Sequence, residues 1–145
     1  MFLRPATLAC CCLLGSLATV GQAAPTAVET IDMWSGQVKD ATLRKLAPST
    51  GFIADKQAWE KICLAWRPAE QVPKVDFAKQ LVLVGVVPGP NLVLMRPTID
   101  KKGNISFLVA GTKKGGPGFG YKLILISRLG VKAIKGKPIA DKGVR

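Results

Sequence analysis

Gln80-Leu-Val-Leu-Val-Gly-Val-Val87 is an unbroken apolar run of strand length, bounded by Pro88-Gly89-Pro90. A strand with one face in water alternates apolar and polar residues, because successive side chains point to opposite faces. This run does not alternate. It predicts a central strand covered on both faces.

Upstream, Asp55-Lys-Gln-Ala-Trp-Glu-Lys-Ile-Cys-Leu-Ala-Trp-Arg67 supplies a helix to cover it. Asp55 is a good N-cap, since its carboxylate accepts the orphan amides of a first turn. Ala58, Trp59, Ile62, Cys63 and Trp66 recur every three or four residues and form one apolar stripe. The spacing predicts a helix over Lys56–Trp66, ended by Pro68, with Trp59 and Trp66 in the core rather than stacked on a sugar. Further back, Asp40 caps a short helix that runs through Leu46 and stops at Pro48. Thr50–Ile53 reads as a brief extended piece, Trp34–Val38 as a short strand or turn, and residues 24–33 as a tether with little periodicity.

Downstream the pattern stays β. Asn91–Arg96 is a second strand closed by Pro97, and Asp100-Lys101-Lys102-Gly103-Asn104 has turn chemistry. Ile105–Ala110 and Tyr121–Ser127 are further strands, followed by a short piece at Val131–Ile134 and turns at Leu129-Gly130 and Lys135-Gly136. The connections are too short for helical crossovers, so the sheet is expected to be mostly antiparallel. The fold class that results is α+β: a strand meander with one main amphipathic helix packed on a face, in a single domain over residues 34–145.

The N-terminus reads as an export signal over residues 1–23. Arg4 is a short positive region, Ala6–Val20 an apolar run, and Gly21-Gln22-Ala23 a small-residue cleavage site. The run is shorter than a membrane span. The expected location is secreted or periplasmic. After cleavage at Ala23 only Cys63 of the four cysteines remains, so no internal disulfide forms.

The chain contains no histidine. That excludes Ser-His-Asp and Cys-His nucleophile pairs and imidazole zinc sites. The nine acids show no calcium-loop or paired-carboxylate spacing. Neither a catalytic residue, a cofactor nor a metal site is expected, and the chain reads as a non-enzyme. Twenty-one Lys and Arg against those nine acids give a net charge of +12, which favours anionic partners. The cations stand singly or in pairs, as at Lys101-Lys102 and Lys113-Lys114.

Gly111-Thr-Lys-Lys-Gly-Gly-Pro-Gly-Phe-Gly-Tyr121 carries the first half of a phosphate-loop spacing, Gly111 to Gly116. Pro117 and Gly118 then stand where Lys and Ser or Thr must reach phosphate and Mg²⁺. A strand follows instead of a helix, so no helix N-terminus faces an anion. No nucleotide site is therefore expected, and the segment is expected to be an exposed, mobile strand connection. Its lysines, with Lys101, Lys102 and Tyr121, are the candidate partner-binding residues: Lys113, Lys114, Lys101, Lys102 and Tyr121.

Val75-Asp76-Phe77, the strand after it, and the approach Gly118-Phe119-Gly120-Tyr121 to a later strand resemble the PrcB C-terminal-like domain, over about Phe52–Ile139. The family is named for a subunit that assembles a secreted bacterial protease complex. Trp34-Ser35-Gly36 and Ala58-Trp59-Glu60-Lys61 are also similar to segments of secreted bacterial proteins. In this chain Phe119 splits glycines that the family pattern holds adjacent. The resemblance implies a small exported α+β module that contacts or stabilises another protein. The alternative is a basic module that binds anionic envelope polymer or polysaccharide.

Overall fold

The computed structural model describes residues 23–140. All but the last residue of the expected export signal lies outside the described residues. In chain order the elements are β1 (Thr26–Ala27), β2 (Thr30–Val38), a 3-10 helix (Ala41–Leu46), β3 (Phe52–Ile53), α1 (Lys56–Trp66), β4 (Gln80–Pro88), β5 (Val93–Met95), β6 (Thr98–Ile99), β7 (Asn104–Ser106), β8 (Val109–Gly111), β9 (Phe119–Ser127), β10 (Ala133–Ile134) and β11 (Lys137–Pro138). The class is α+β with mostly antiparallel strands. Among the described residues one pair, β7 with β10, is parallel.

The central sheet runs β2-β9-β4-β3. β4 and β9 are the two long apolar strands and pair along their whole length, from Gln80 opposite Ser127 to Pro88 opposite Phe119. Because side chains alternate, Val82, Val84, Leu123 and Leu125 face one side, and Leu81, Leu83, Ile124 and Ile126 face the other. The lack of polar alternation in β4 is explained: both faces are covered.

α1 covers the first face. Its N-cap Asp55 accepts from the Ala58 amide at 2.9 Å. Trp59, Ile62, Cys63 and Trp66 point into the core. The polar ring edges of both tryptophans are satisfied: Trp59 Nε1 donates to the Pro73 carbonyl at 2.9 Å and Trp66 Nε1 to the Leu43 carbonyl at 3.1 Å. The Leu43 carbonyl belongs to the 3-10 helix, so Trp66 ties the two helical pieces together. Asp40 caps that piece through the Thr42 amide and hydroxyl. These two bonds, hydroxyl first, hold its carboxyl below the usual range.

The second face is covered by chain 92–111, inserted between β4 and β9. It doubles back as a two-stranded arm, with Leu94 opposite Ala110 and Thr98 opposite Ser106. Pro97 interrupts the ladder between β5 and β6, as a residue without an amide hydrogen must. Met95, Ile105 and Phe107 pack inward, with Ile134, against Leu81, Leu83, Ile124 and Ile126.

Two expectations are corrected. Residues 24–33 are not a tether: Thr26–Ala27 pair with Thr98–Ile99 of the arm, and Thr30–Val38 form one nine-residue strand against β9. The segment looks aperiodic because β2 is an edge strand with a bulge between Thr30 and Asp32, and its residues are exposed or half-buried, none fully buried. β9 also begins at Phe119 and not Tyr121.

Candidate functional site

The arm has two sides. Side chains that alternate with the inward set stand outward in a row: Leu92, Leu94, Arg96 and Thr98 on one strand, and Ser106, Leu108 and Ala110 on the other. Leu92 is 63% exposed, Leu94 62% and Leu108 87%. An open hollow of about 710 Å³ lies among Leu94, Met95, Arg96, Leu108, Ala110 and Lys122. Beside it, a second hollow of about 320 Å³ lies between β2 and β5, lined by Ser35, Gly36, Gln37, Leu92, Val93 and Tyr121. An apolar centre with a charged rim is the layout of a protein-binding patch.

The candidate lysines stand at the two ends of this arm. Lys101 and Lys102 occupy its tip, in the turn that Asp100 closes by accepting from the Lys102 and Asn104 amides at 2.8 and 2.9 Å. Lys113 and Lys114 lie in the glycine loop at its root. All four are exposed, and none is in a salt bridge among the described residues.

The glycine loop is exposed from Gly111 to Pro117 and is held at one point by a residue that sequence reading missed. Asn91 is a polar residue that is only 6% exposed. Its Nδ2 donates to the carbonyls of Pro88 at 2.6 Å and Lys114 at 3.1 Å. Its Oδ1 accepts from the Thr112 hydroxyl at 2.9 Å and the Lys114 amide at 2.7 Å. One amide side chain thus closes the root of the arm against the loop. No periodic signal marks a lone Asn after a proline, so its role is set by what folds back onto it. At the end of the loop a Cβ on Gly120 would run into the Asn91 carbonyl, which accounts for glycine at that strand entry.

Tyr121 is removed from the candidate surface. Its side chain is 4% exposed and lies in the helix-side core, its ring centroid 5.4 Å from that of Trp66. Burial raises its phenol above the usual range, with Arg67 pulling the other way. The same surroundings push the Cys63 thiol up to about 11, again through burial first and against the Arg67 charge. A thiol held protonated is a poor nucleophile. The Arg67 guanidinium pairs with Glu70 through one nitrogen and stands 5.7 Å from the Trp34 ring centre. Its other terminal nitrogen is the sole buried side-chain polar atom without a hydrogen-bond partner among the described residues.

No group of three or more His, Cys, Asp or Glu side chains that could hold a metal is present among the described residues. No helix among them is long and apolar enough to cross a membrane. Compared with protein-family models, curated proteins and solved structures, the chain matches none.

Proposed function

We propose that this protein is an exported, non-catalytic module that acts by binding another protein, with the outward face of the β5–β8 arm as its contact surface. The observation that carries this is the row Leu92, Leu94 and Leu108, three leucines more than half exposed on one short arm, with cations at both ends. Single exposed leucines are ordinary; a row of them beside an open hollow is the signature of an interaction site. Two features support the non-catalytic part of the reading. The sequence has no histidine, and Cys63 is buried with its proton firmly held. The resemblance to the PrcB C-terminal-like domain points to the same kind of role and belongs to this proposal.

A photo-crosslinking residue at Leu108, used in cells that export the full chain, tests it. The expected result is one dominant crosslinked protein, identified by mass spectrometry and lost when Leu94→Ser is added. The unpaired Lys101, Lys102, Lys113 and Lys114 favour the second reading, in which the module binds anionic polymer. That reading wins if retention on the polymer is abolished by replacing the four lysines with Ala, is untouched by Leu94→Ser, and no protein is crosslinked.

A further inference from the structure

We propose that the open edge of β2, over Met33–Val38, takes an extended acidic segment of a protein partner as an added strand. This rests on the protein-binding reading above and names the chemistry and geometry of the partner.

Among the described residues β2 pairs on one side alone, with β9. The opposite edge of the sheet, β3, is two residues long and leads directly into α1. An open edge offers unpaired amides and carbonyls to any passing chain, and proteins normally guard it with lysine, proline, a bulge or shortness. The bulge guards Thr30–Asp32. Beyond it, Met33-Trp-Ser-Gly-Gln-Val38 holds no lysine, arginine or proline, in a chain that carries 21 Lys and Arg. Alternate residues of an antiparallel strand bond to alternate sides; with the Met33 amide taken by the Asp32 carboxylate at 2.8 Å, about two amides and three carbonyls remain directed outward.

The surroundings select the occupant. Ser35 lies opposite Lys122, which is partly exposed; Lys39 follows the strand; and Arg96 rims the nearby hollow. Asp32 is the single acid on β2, and Glu70 is tied to Arg67. A second copy would set two chains of net charge +12 against each other, whereas an acidic strand is attracted. The hollow between β2 and β5 has room for alternate apolar side chains of that strand, against Leu92 and Val93. Main-chain bonds then give affinity, and the hollow gives selectivity.

The test uses the full exported chain, ¹⁵N-labelled, and a synthetic acetylated heptapeptide of alternating Glu and Val. Backbone amide exchange is followed with and without peptide. Alternate amides within Met33–Val38 should slow about tenfold or more, while those already bonded to β9 stay as they were. The same peptide N-methylated on its bonding edge should give no protection, and neither should a Lys/Val heptapeptide. Affinity should fall about tenfold from low salt to about 0.5 M, as screening predicts. Three results overturn the proposal: no protection of β2 at millimolar peptide, equal protection by the Lys/Val peptide, or a dimer without peptide whose β2 amides are protected. If β2 stays unprotected while the Leu108 crosslink persists, strand addition is wrong and the protein-binding reading survives. If the crosslink is lost while β2 is protected, the arm is wrong and the edge stands.

Discussion

The two faces of the central sheet are covered in opposite ways. On one side a helix brings two tryptophans, and their indole hydrogens end on carbonyls of neighbouring segments. On the other, a two-stranded arm brings Met95, Ile105 and Phe107, with the buried polar Asn91 at its root. A helix turns a polar side to water as a matter of course, because its apolar stripe takes up about a third of its circumference. A two-stranded cover has an inner and an outer face of equal size, so its outer residues are a separate choice of the sequence. Here several of them are leucines. The helical cover leaves one leucine outward, Leu64, whereas the arm leaves three in a row, and that row is what burial does not explain.

The largest expected effect breaks the helical side. Trp66→Ala removes a ring that packs on Phe119 and Tyr121 and a hydrogen bond to Leu43, and should cost about 3–5 kcal/mol in urea unfolding. A loss under about 1 kcal/mol would mean that the helix is not the firmer cover. Next comes the root of the arm. Gly120→Val drives a branched side chain into the Asn91 backbone and should destabilise by about 1–3 kcal/mol, with faster amide exchange through residues 112–118 as the local readout. A fully stable variant would show that the contact between loop and strand is not needed.

A pH titration sharpens the comparison further, since Cys63 and Tyr121 both lie on the helix side. Burial raises the Cys63 thiol from 9.0 to about 11, so the folded chain keeps a proton that the unfolded chain gives up. Its contribution to stability is complete below pH 9 and is lost as pH rises through about 11. Tyr121 shifts in the same direction and adds to the loss from its ordinary pKa of 10 upward. Each group contributes at most about 1.4 kcal/mol per pH unit. Denaturation midpoints measured from pH 8 to 11 should fall, and Cys63→Ala should flatten the first part of the decline. A flat profile in the parent chain would place the thiol in water.

The smallest effect is expected on the outer face. Leu108→Ser, and separately the pair Lys113→Ala and Lys114→Ala, should leave thermal stability within about 0.5 kcal/mol, as exposed positions do. A larger loss for Leu108→Ser would show that the leucine packs within the molecule and is not presented to a partner.

The elements readable in the sequence are those whose burial repeats. Asp55 through Trp66 announces itself by a cap and a three-to-four spacing, and Leu81–Val87 by the absence of any polar residue. β2 gave no such signal, because an edge strand buries little and its bulge shifts the alternation. Tyr121 is hidden from the sequence for the opposite reason. It follows a glycine-rich loop and so looks like a surface residue, yet its ring lies under Trp66, with its hydroxyl beside Gly36 of β2. Asn91 was invisible, since its four hydrogen bonds join it to Pro88, Thr112 and Lys114, two of them more than twenty positions away.

By itself the sequence determined the class of fold, the capped helix, the doubly covered strand, and the absence of imidazole chemistry, because each depends on residue type or local period alone. The tertiary structure decided that the lysine pairs mark the two ends of one arm, that three leucines scattered over seventeen positions share its outer face, and that the N-terminal segment becomes an open edge. Those facts depend on which side of a strand faces which neighbour, and pairing across long stretches of chain settles that, not the local sequence.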